Sequence, residues 1–191
     1  MNNKLDTRDR FVETASKLFE SKGYHATGIN EILKESRAPK GSLYYYFPKG
    51  KEELAVEAVN LSSENIQSYI KKALVQIADP IEAIQVHIET IAAFIAKQEK
   101  AQDVSISLLA LETSSSSELL RKACEMAFMS FENIFAEKLI QGGFEEEKAH
   151  ELSMVIQAMI DGAITISLTK KNDITLLAVA KQIRILLKSN L

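Results

Sequence analysis

Residues 27–54, TGINEILKESRAPKGSLYYYFPKGKEEL, hold the pattern that decides the fold. Ile29, Ile32 and Leu33 form the apolar edge of a short helix, with Thr27 as its expected N-cap and an end near Ser36. Pro39 suits the first turn of the next helix, because its φ is already helical and its missing N–H is not needed there. That helix should run from Lys40 to Phe47, and Pro48 with Gly50 breaks it. Two short helices joined by a tight turn predict a helix-turn-helix.

The flanking sequence completes the unit. Phe11, Ala15, Leu18 and Phe19 recur at i, i+4, i+7 and i+8, the stripe of an amphipathic helix. Asp6 or Thr7 can cap its start and Gly23 can stop it. Beyond Lys51 the periodicity stays helical. Segments are expected at about 51–77, 81–97, 104–111, 118–140, 145–170 and 174–188, with one of Ser114–Ser117 capping the fourth of these. Strand-like alternation and internal repeats are missing. The expected fold is therefore all-α, about nine helices, with a three-helix N-terminal domain over 1–50 and a larger helical domain over 51–191.

Composition narrows the classes. A chain of 191 residues with 46% hydrophobic residues can bury a core unaided, and three prolines and seven glycines leave long helices uninterrupted. Cys124 is the single cysteine, so neither an intrachain disulfide nor a cysteine zinc cluster is expected, consistent with a reducing cytoplasm. The longest uncharged apolar stretch, Ile91–Ala96, is far short of a membrane span, and no apolar leader opens the chain. The net charge of −3 argues at first against a nucleic-acid partner, but it is unevenly placed. Residues 1–54 carry ten basic and eight acidic side chains, net +2, and the other 137 carry thirteen and eighteen, net −5. Between Lys34 and Lys51, five basic residues face only Glu35. Such a local surplus suits an anion-facing surface.

The 40–51 segment has the chemistry such a surface needs. Gly41 and Ser42 are small where a backbone would approach phosphates or base edges, and Lys40 stands beside them. Leu43 and Phe47, four apart, should point inward, leaving Tyr44, Tyr45 and Tyr46 on outer faces. Tyrosine offers a phenolic donor to phosphate and a ring edge to a thymine methyl. Lys49 and Lys51 flank the helix break.

Taken together, the Gly-Tyr turn, the Thr cap, the KGSLYYYFP run and the Lys-Glu-Glu-Leu helix start resemble the N-terminal domain of TetR-family transcriptional repressors, over residues 8–57. The Ala-Pro before Lys-Gly and the extra Gly50 are similar to the LmrA/YxaF-like subgroup. The resemblance implies a phosphate-contacting cap at Thr27, base-edge contacts from Lys40 and Ser42, groove and phosphate contacts from Tyr44 and Tyr45, and a helix-opening Lys51. Arg37 stands where the family usually has a turn glycine and either strains the turn or adds a phosphate contact. Tyr46 replaces a frequent His. The resemblance further implies a cytoplasmic homodimer on a palindromic double-stranded DNA operator, with a small-molecule effector in the larger domain.

For the effector site, the middle helices supply His87, Phe94, Leu108, Glu112, Cys124, Met126, Met129, Phe131, Phe135 and Met154 as candidates. Their aromatic and methionine content suits a flat, apolar effector. Leu176, Val179, Ile183 and Leu187 would suit a helix-pair seam between protomers. The competing class is a metal-binding or enzymatic bundle. Its support is Glu147-x-x-His150, half of a di-iron signature, and neither His25 nor His87 has the Glu three residues earlier that a second copy needs. With no phosphate loop, dinucleotide fingerprint or HExxH run, neither metal nor cofactor is expected, and no catalytic residue is assigned.

Overall fold

The computed structural model describes residues 6–97 and 104–191. They form helices only: α1 Thr7–Lys22, α2 Ile29–Ser36, α3 Lys40–Tyr46, α4 Lys51–Val75, α5 Pro80–Ala96, α6 Val104–Thr113, α7 Glu118–Gln141, α8 Glu146–Lys170 and α9 Ile174–Lys188. The caps follow elementary chemistry. Asp6 accepts the N–H of Thr7 ahead of α1, and Asp79 accepts that of Glu82 at the start of α5, with Pro80 in the first turn. Ser117 accepts the N–H of Leu120 at the start of α7, and Glu145 accepts those of Glu147 and Lys148 at α8. Pro39 sits one position earlier than expected, as the N-cap of α3.

Two compact units result. The first comprises residues 1–65 with 105–127, and the second residues 66–104 with 128–191. The expected functional break near residue 50 falls between α3 and α4, whereas packing groups α6 and the start of α7 with the N-terminal helices.

In the first unit, α1 presents Phe11, Val12, Ala15 and Phe19 to the core, where Ile32, Leu43, Phe47 and Leu54 are also fully enclosed. This is the stripe expected from the sequence, apart from Leu18. In the second unit, α5 packs on α9 and α8, and α8 also packs on α9. Here the choice of seam residues needs correction. Leu176, Ile183 and Leu187 are fully buried inside the protomer and Val179 is half-buried. Leu176, Ile183 and Leu187 cannot form a seam with another chain, because their period-matched face is the one α9 turns toward its own core.

The apolar surface left outside lies elsewhere. Met154, Val155 and Ile166 of α8 are exposed, with Ala158 and Gly162 between them, as are Ile174, Leu177 and Ile185 of α9. α8 has a mean hydropathy of 1.5 over its most apolar window, of which 44% is buried. Length and composition alone would pass it as a membrane helix. Its buried face, however, is ordinary core, including Leu152, Ile156, Ile160 and Ile164.

Candidate nucleic-acid interface

α3 stands on two core residues. Leu43 and Phe47 are buried, and the Phe47 ring meets Phe11 of α1 edge-on at 6.3 Å. The Arg8 guanidinium lies 5.6 Å from the centre of the Phe47 ring and also pairs with Glu57 at 2.6 Å. With that side committed to packing, every other side chain of α3 faces outward or along the edge. Lys40 and Gly41 are exposed and Ser42 is half-buried. Tyr45 is 79% exposed and Tyr44 43%, while Tyr46 is half-buried, its ring perpendicular to that of Tyr45 at 5.1 Å. A Cβ added at Gly41 would meet nothing within 4 Å, so internal packing does not call for glycine there. Its absent side chain keeps the backbone open to an approaching surface.

The turn before α3 is unusual. Arg37 occupies the left-handed region at φ 52°, ψ 39°, and its N–H donates to the carbonyls of Leu33 and Lys34. A side chain in that conformation costs roughly 1–2 kcal/mol. The arginine is exposed, and among the described residues Lys34, Arg37, Lys40 and Lys49 enter no ion pair. These charges are held out to solvent on and around α3, in the window where the sequence concentrates them.

Two expected contacts move. Thr27 is not the N-cap of α2; Gly28 is, without a side-chain bond. Thr27 is fully buried and its hydroxyl donates to the Gly23 carbonyl at 2.8 Å. A hydroxyl so engaged closes the α1–α2 turn and is not presented to phosphate. Lys51 is drawn inward as well. Its ammonium lies 4.1 Å from the centre of the Tyr24 ring, and burial lowers its pKa while the Glu112 carboxylate pulls it back up. Lys49, by contrast, stays exposed, and its backbone N–H donates to Glu53 at 2.9 Å to start α4. Gly50, at φ 71°, makes the preceding turn with the Tyr44 ring close over it.

The effector candidates divide. In the second unit His87, Phe131 and Phe135 come together, joined by Ile66, Ile70, Phe128, Gln157, Ile160 and Asp161, around a narrow cavity. Its closed space is about 10 Å³, room for a single water, so a larger ligand has to part the phenylalanine side chains. Gln157 donates to Asp161 at 3.0 Å. Phe94 is one ring removed, meeting Tyr69 at 6.4 Å, and Tyr69 in turn meets His87 at 5.6 Å.

The other candidates lie elsewhere. Leu108, Met126, Met129 and Met154 are on the surface, Met126 being 69% exposed. Glu112 belongs to the first unit, where its carboxylate accepts the Tyr24 N–H. Cys124, also of that unit, is buried and its thiol is pushed up to about 11, which makes it an inert packing residue. Phe128 and Gln157 also line the His87 cavity and are not among the sequence candidates. The i, i+3, i+7 spacing of Phe128, Phe131 and Phe135, and an amide within the apolar run of α8, were the available signals. Glu147 and His150 are both exposed, and among the described residues no group of three acid, His or Cys side chains is arranged to hold a metal.

His87 is the odd residue of that cavity. It is buried, and among the described residues its Nδ1 has no hydrogen-bond partner. Burial lowers its pKa from 6.5 to about 4. The unfolded chain therefore takes up a proton below pH 6.5 that the folded chain refuses until about pH 4. Stability from the neutral ring is complete above pH 6.5 and falls as pH drops through that window, by up to about 3 kcal/mol. Urea unfolding of the wild type and of His87→Leu between pH 7 and 4.5 should show the steeper acid loss in the wild type. Parallel curves would refute it.

Comparison with known proteins follows the same division. Residues 11–58 match the family described as bacterial regulatory proteins, tetR family, and residues 80–182 match the C-terminal domain of LmrA/YxaF-like transcriptional regulators. Among relatives, the uncharacterized HTH-type transcriptional regulator YxaF of Bacillus subtilis is 45% identical over 98% of both chains. The HTH-type transcriptional regulator LmrA of the same organism is 44% identical over 96% of this chain and 97% of its own. Solved structures share the fold at lower identity. Reduced Escherichia coli NemR superposes with a TM-score of 0.83 at 20% identity, covering 94% of this chain and 95% of its own. A cysteine mutant of CifR bound to a 26-base-pair operator superposes with a TM-score of 0.75 at 21% identity, covering 96% and 97%.

Proposed function

From a chain that belongs to the TetR family of bacterial regulators, with the C-terminal domain of the LmrA/YxaF-like transcriptional regulators, we propose a repressor that a small effector releases from its operator. The chain is a DNA-binding helix-turn-helix regulator and not an enzyme. The finer reading is a cytoplasmic homodimer that places two α3 helices in successive major grooves of a palindromic duplex. Residues 1–50 do the reading, and 51–191 dimerise and sense.

The observation that carries this reading is the outer side of α3. Lys40, Gly41, Tyr44 and Tyr45 are exposed together, and Tyr45, 79% exposed, is a costly side chain to leave in water without a partner. Lys40 and Ser42 are assigned to base edges, Tyr44 and Tyr45 to groove and phosphate, and Arg37, Tyr46 and Lys49 to backbone on either side. Lys51 and Thr27 support the head from within. The effector is assigned to the cavity of Phe131, Phe135 and His87, whose rings favour a small, largely apolar molecule, with planar aromatics the first to screen. Release requires that the effector bind the DNA-incompetent state more tightly than the competent one.

The test is selection of binding sites from a random duplex library with the purified protein. A palindromic sequence should be enriched, and its affinity should fall steeply between 50 and 200 mM salt, on the order of a thousandfold for six or more phosphate contacts. A chain that enriches no sequence refutes the reading. A compound library screened on the protein–duplex complex then tests the effector; saturating binders that leave duplex affinity unchanged would refute release.

A further inference from the structure

Glu112 has a contact that neither packing nor effector binding requires. It lies in the last turn of α6, beside Thr113, whose buried hydroxyl is fastened to the Leu109 carbonyl at 2.7 Å. From that anchored turn its carboxylate accepts the backbone N–H of Tyr24 at 2.5 Å, 88 residues away in sequence. Its backbone carbonyl lies 3.0 Å from Nε2 of His25. Gly23, at φ 81°, is part of the same seat, because a Cβ there would overlap the Glu112 carboxylate. On the other side of Tyr24, Lys51 caps the ring with its ammonium 4.1 Å from the ring centre. A second tie is close in sequence: Ser117, the cap of α7, donates to Glu52 in the first turn of α4 at 2.5 Å.

The segment so gripped is the turn from which α2 and α3 continue. Gly23 also accepts the Thr27 hydroxyl, and Thr27 directly precedes the Gly28 cap of α2. A carboxylate accepting a backbone N–H is among the stronger hydrogen bonds, and it sets a position rather than merely filling space. Contacts to base edges demand placement within a fraction of an ångström, so the setting of this turn bears on how α3 meets DNA.

We propose that Glu112 is a positioning residue for operator reading: its carboxylate holds the α1–α2 turn in the setting that α3 needs. The inference rests on the DNA-reading role argued above. It carries a sign opposite to simple electrostatics. Removing a negative charge from the DNA-reading unit should tighten binding to a polyanion. Loss of a positioning contact weakens it.

The test uses the duplex enriched by the wild-type protein, together with a random-sequence duplex of the same length. Glu112→Ala should lower affinity for the enriched duplex about tenfold and leave affinity for the random duplex within about twofold. Glu112→Asp keeps the charge but is one methylene too short to reach the Tyr24 N–H, and should lose as much. Glu112→Gln, whose amide oxygen still accepts that bond, should stay within about twofold of wild type. Affinity in Glu112→Asp equal to wild type would overturn the proposal, as would equal losses in the Gln and Ala variants. A wild-type chain that enriches no sequence overturns the DNA reading itself, an outcome distinct from either.

Discussion

Simultaneous replacement of Lys40 and Tyr45 by alanine is expected to lower affinity for the selected operator at least about a hundredfold without loss of helical structure. Both side chains are exposed on α3, and neither contributes to the core that Leu43, Phe47 and Phe11 form beneath it. Their removal therefore creates no cavity, and alanine is the better helix former at either position. A well-made contact to a base edge is worth about 1–3 kcal/mol, each 1.4 kcal/mol is tenfold in affinity, and the proposed dimer would make every contact twice. Fluorescence anisotropy with a labelled duplex reads the affinity, and circular dichroism reads the fold. Retention of affinity within threefold would show that α3 does not read the groove through these residues.

The second large effect concerns assembly. Ile166→Asp combined with Leu177→Asp should convert the protein to a monomer and reduce operator affinity by a further two to four orders of magnitude. The two side chains are exposed on α8 and α9, outside the protomer core, as are Met154, Ala158 and Gly162 of α8 and Ile185 of α9. Small residues among larger apolar ones let two helices approach closely, and exposed apolar side chains of this kind are what the proposed dimer would cover. A carboxylate on such a face is tolerated in water and is expensive between two protomers. Loss of the proposed dimer would turn one bivalent event into two independent weak ones, which accounts for the expected affinity change. Sedimentation velocity decides the mass; a variant that remains dimeric would place the interface elsewhere.

Much of the DNA-reading unit is legible from residue order alone. The α1 stripe, the Gly23 stop, the Pro-Gly break after Phe47 and the inward pair Leu43 and Phe47 are local patterns, and local periodicity decides which face is buried. The family resemblance, which puts a glycine at this turn, marks Arg37 as a strained or contacting residue, and its conformation is left-handed at φ 52°. Thr27 was misread because a threonine two residues before a helix satisfies the cap pattern equally well when its hydroxyl turns back to Gly23. Sequence offers no means of ranking the two partners, a helix N–H that the hydroxyl would accept and the Gly23 carbonyl to which it donates.

The effector candidates separate in the structure for a related reason. Leu108, Met126, Met129 and Met154 have the same composition as Phe131 and Phe135, but helical phase relative to the neighbouring helices, not residue type, decides which side meets the cavity. Leu176, Ile183 and Leu187 show the reverse error: a strong apolar period identified a buried face without saying whether the partner was the same chain or another.

What the amino-acid order determined by itself was the element content and the chemistry of one surface: helices throughout the described residues, and a cation-and-tyrosine cluster on α3 within a chain of net charge −3. Both are properties of short segments, in which side chains three or four apart meet whatever else the chain does. Tertiary structure alone decided the rest. It placed Glu112 on the Tyr24 N–H, 88 residues distant, left His87 against Phe135 with no hydrogen-bond partner for its Nδ1 among the described residues, and chose which apolar side chains of α8 and α9 remained outside. Contacts of that kind depend on the packing of whole helices, and no local period encodes it.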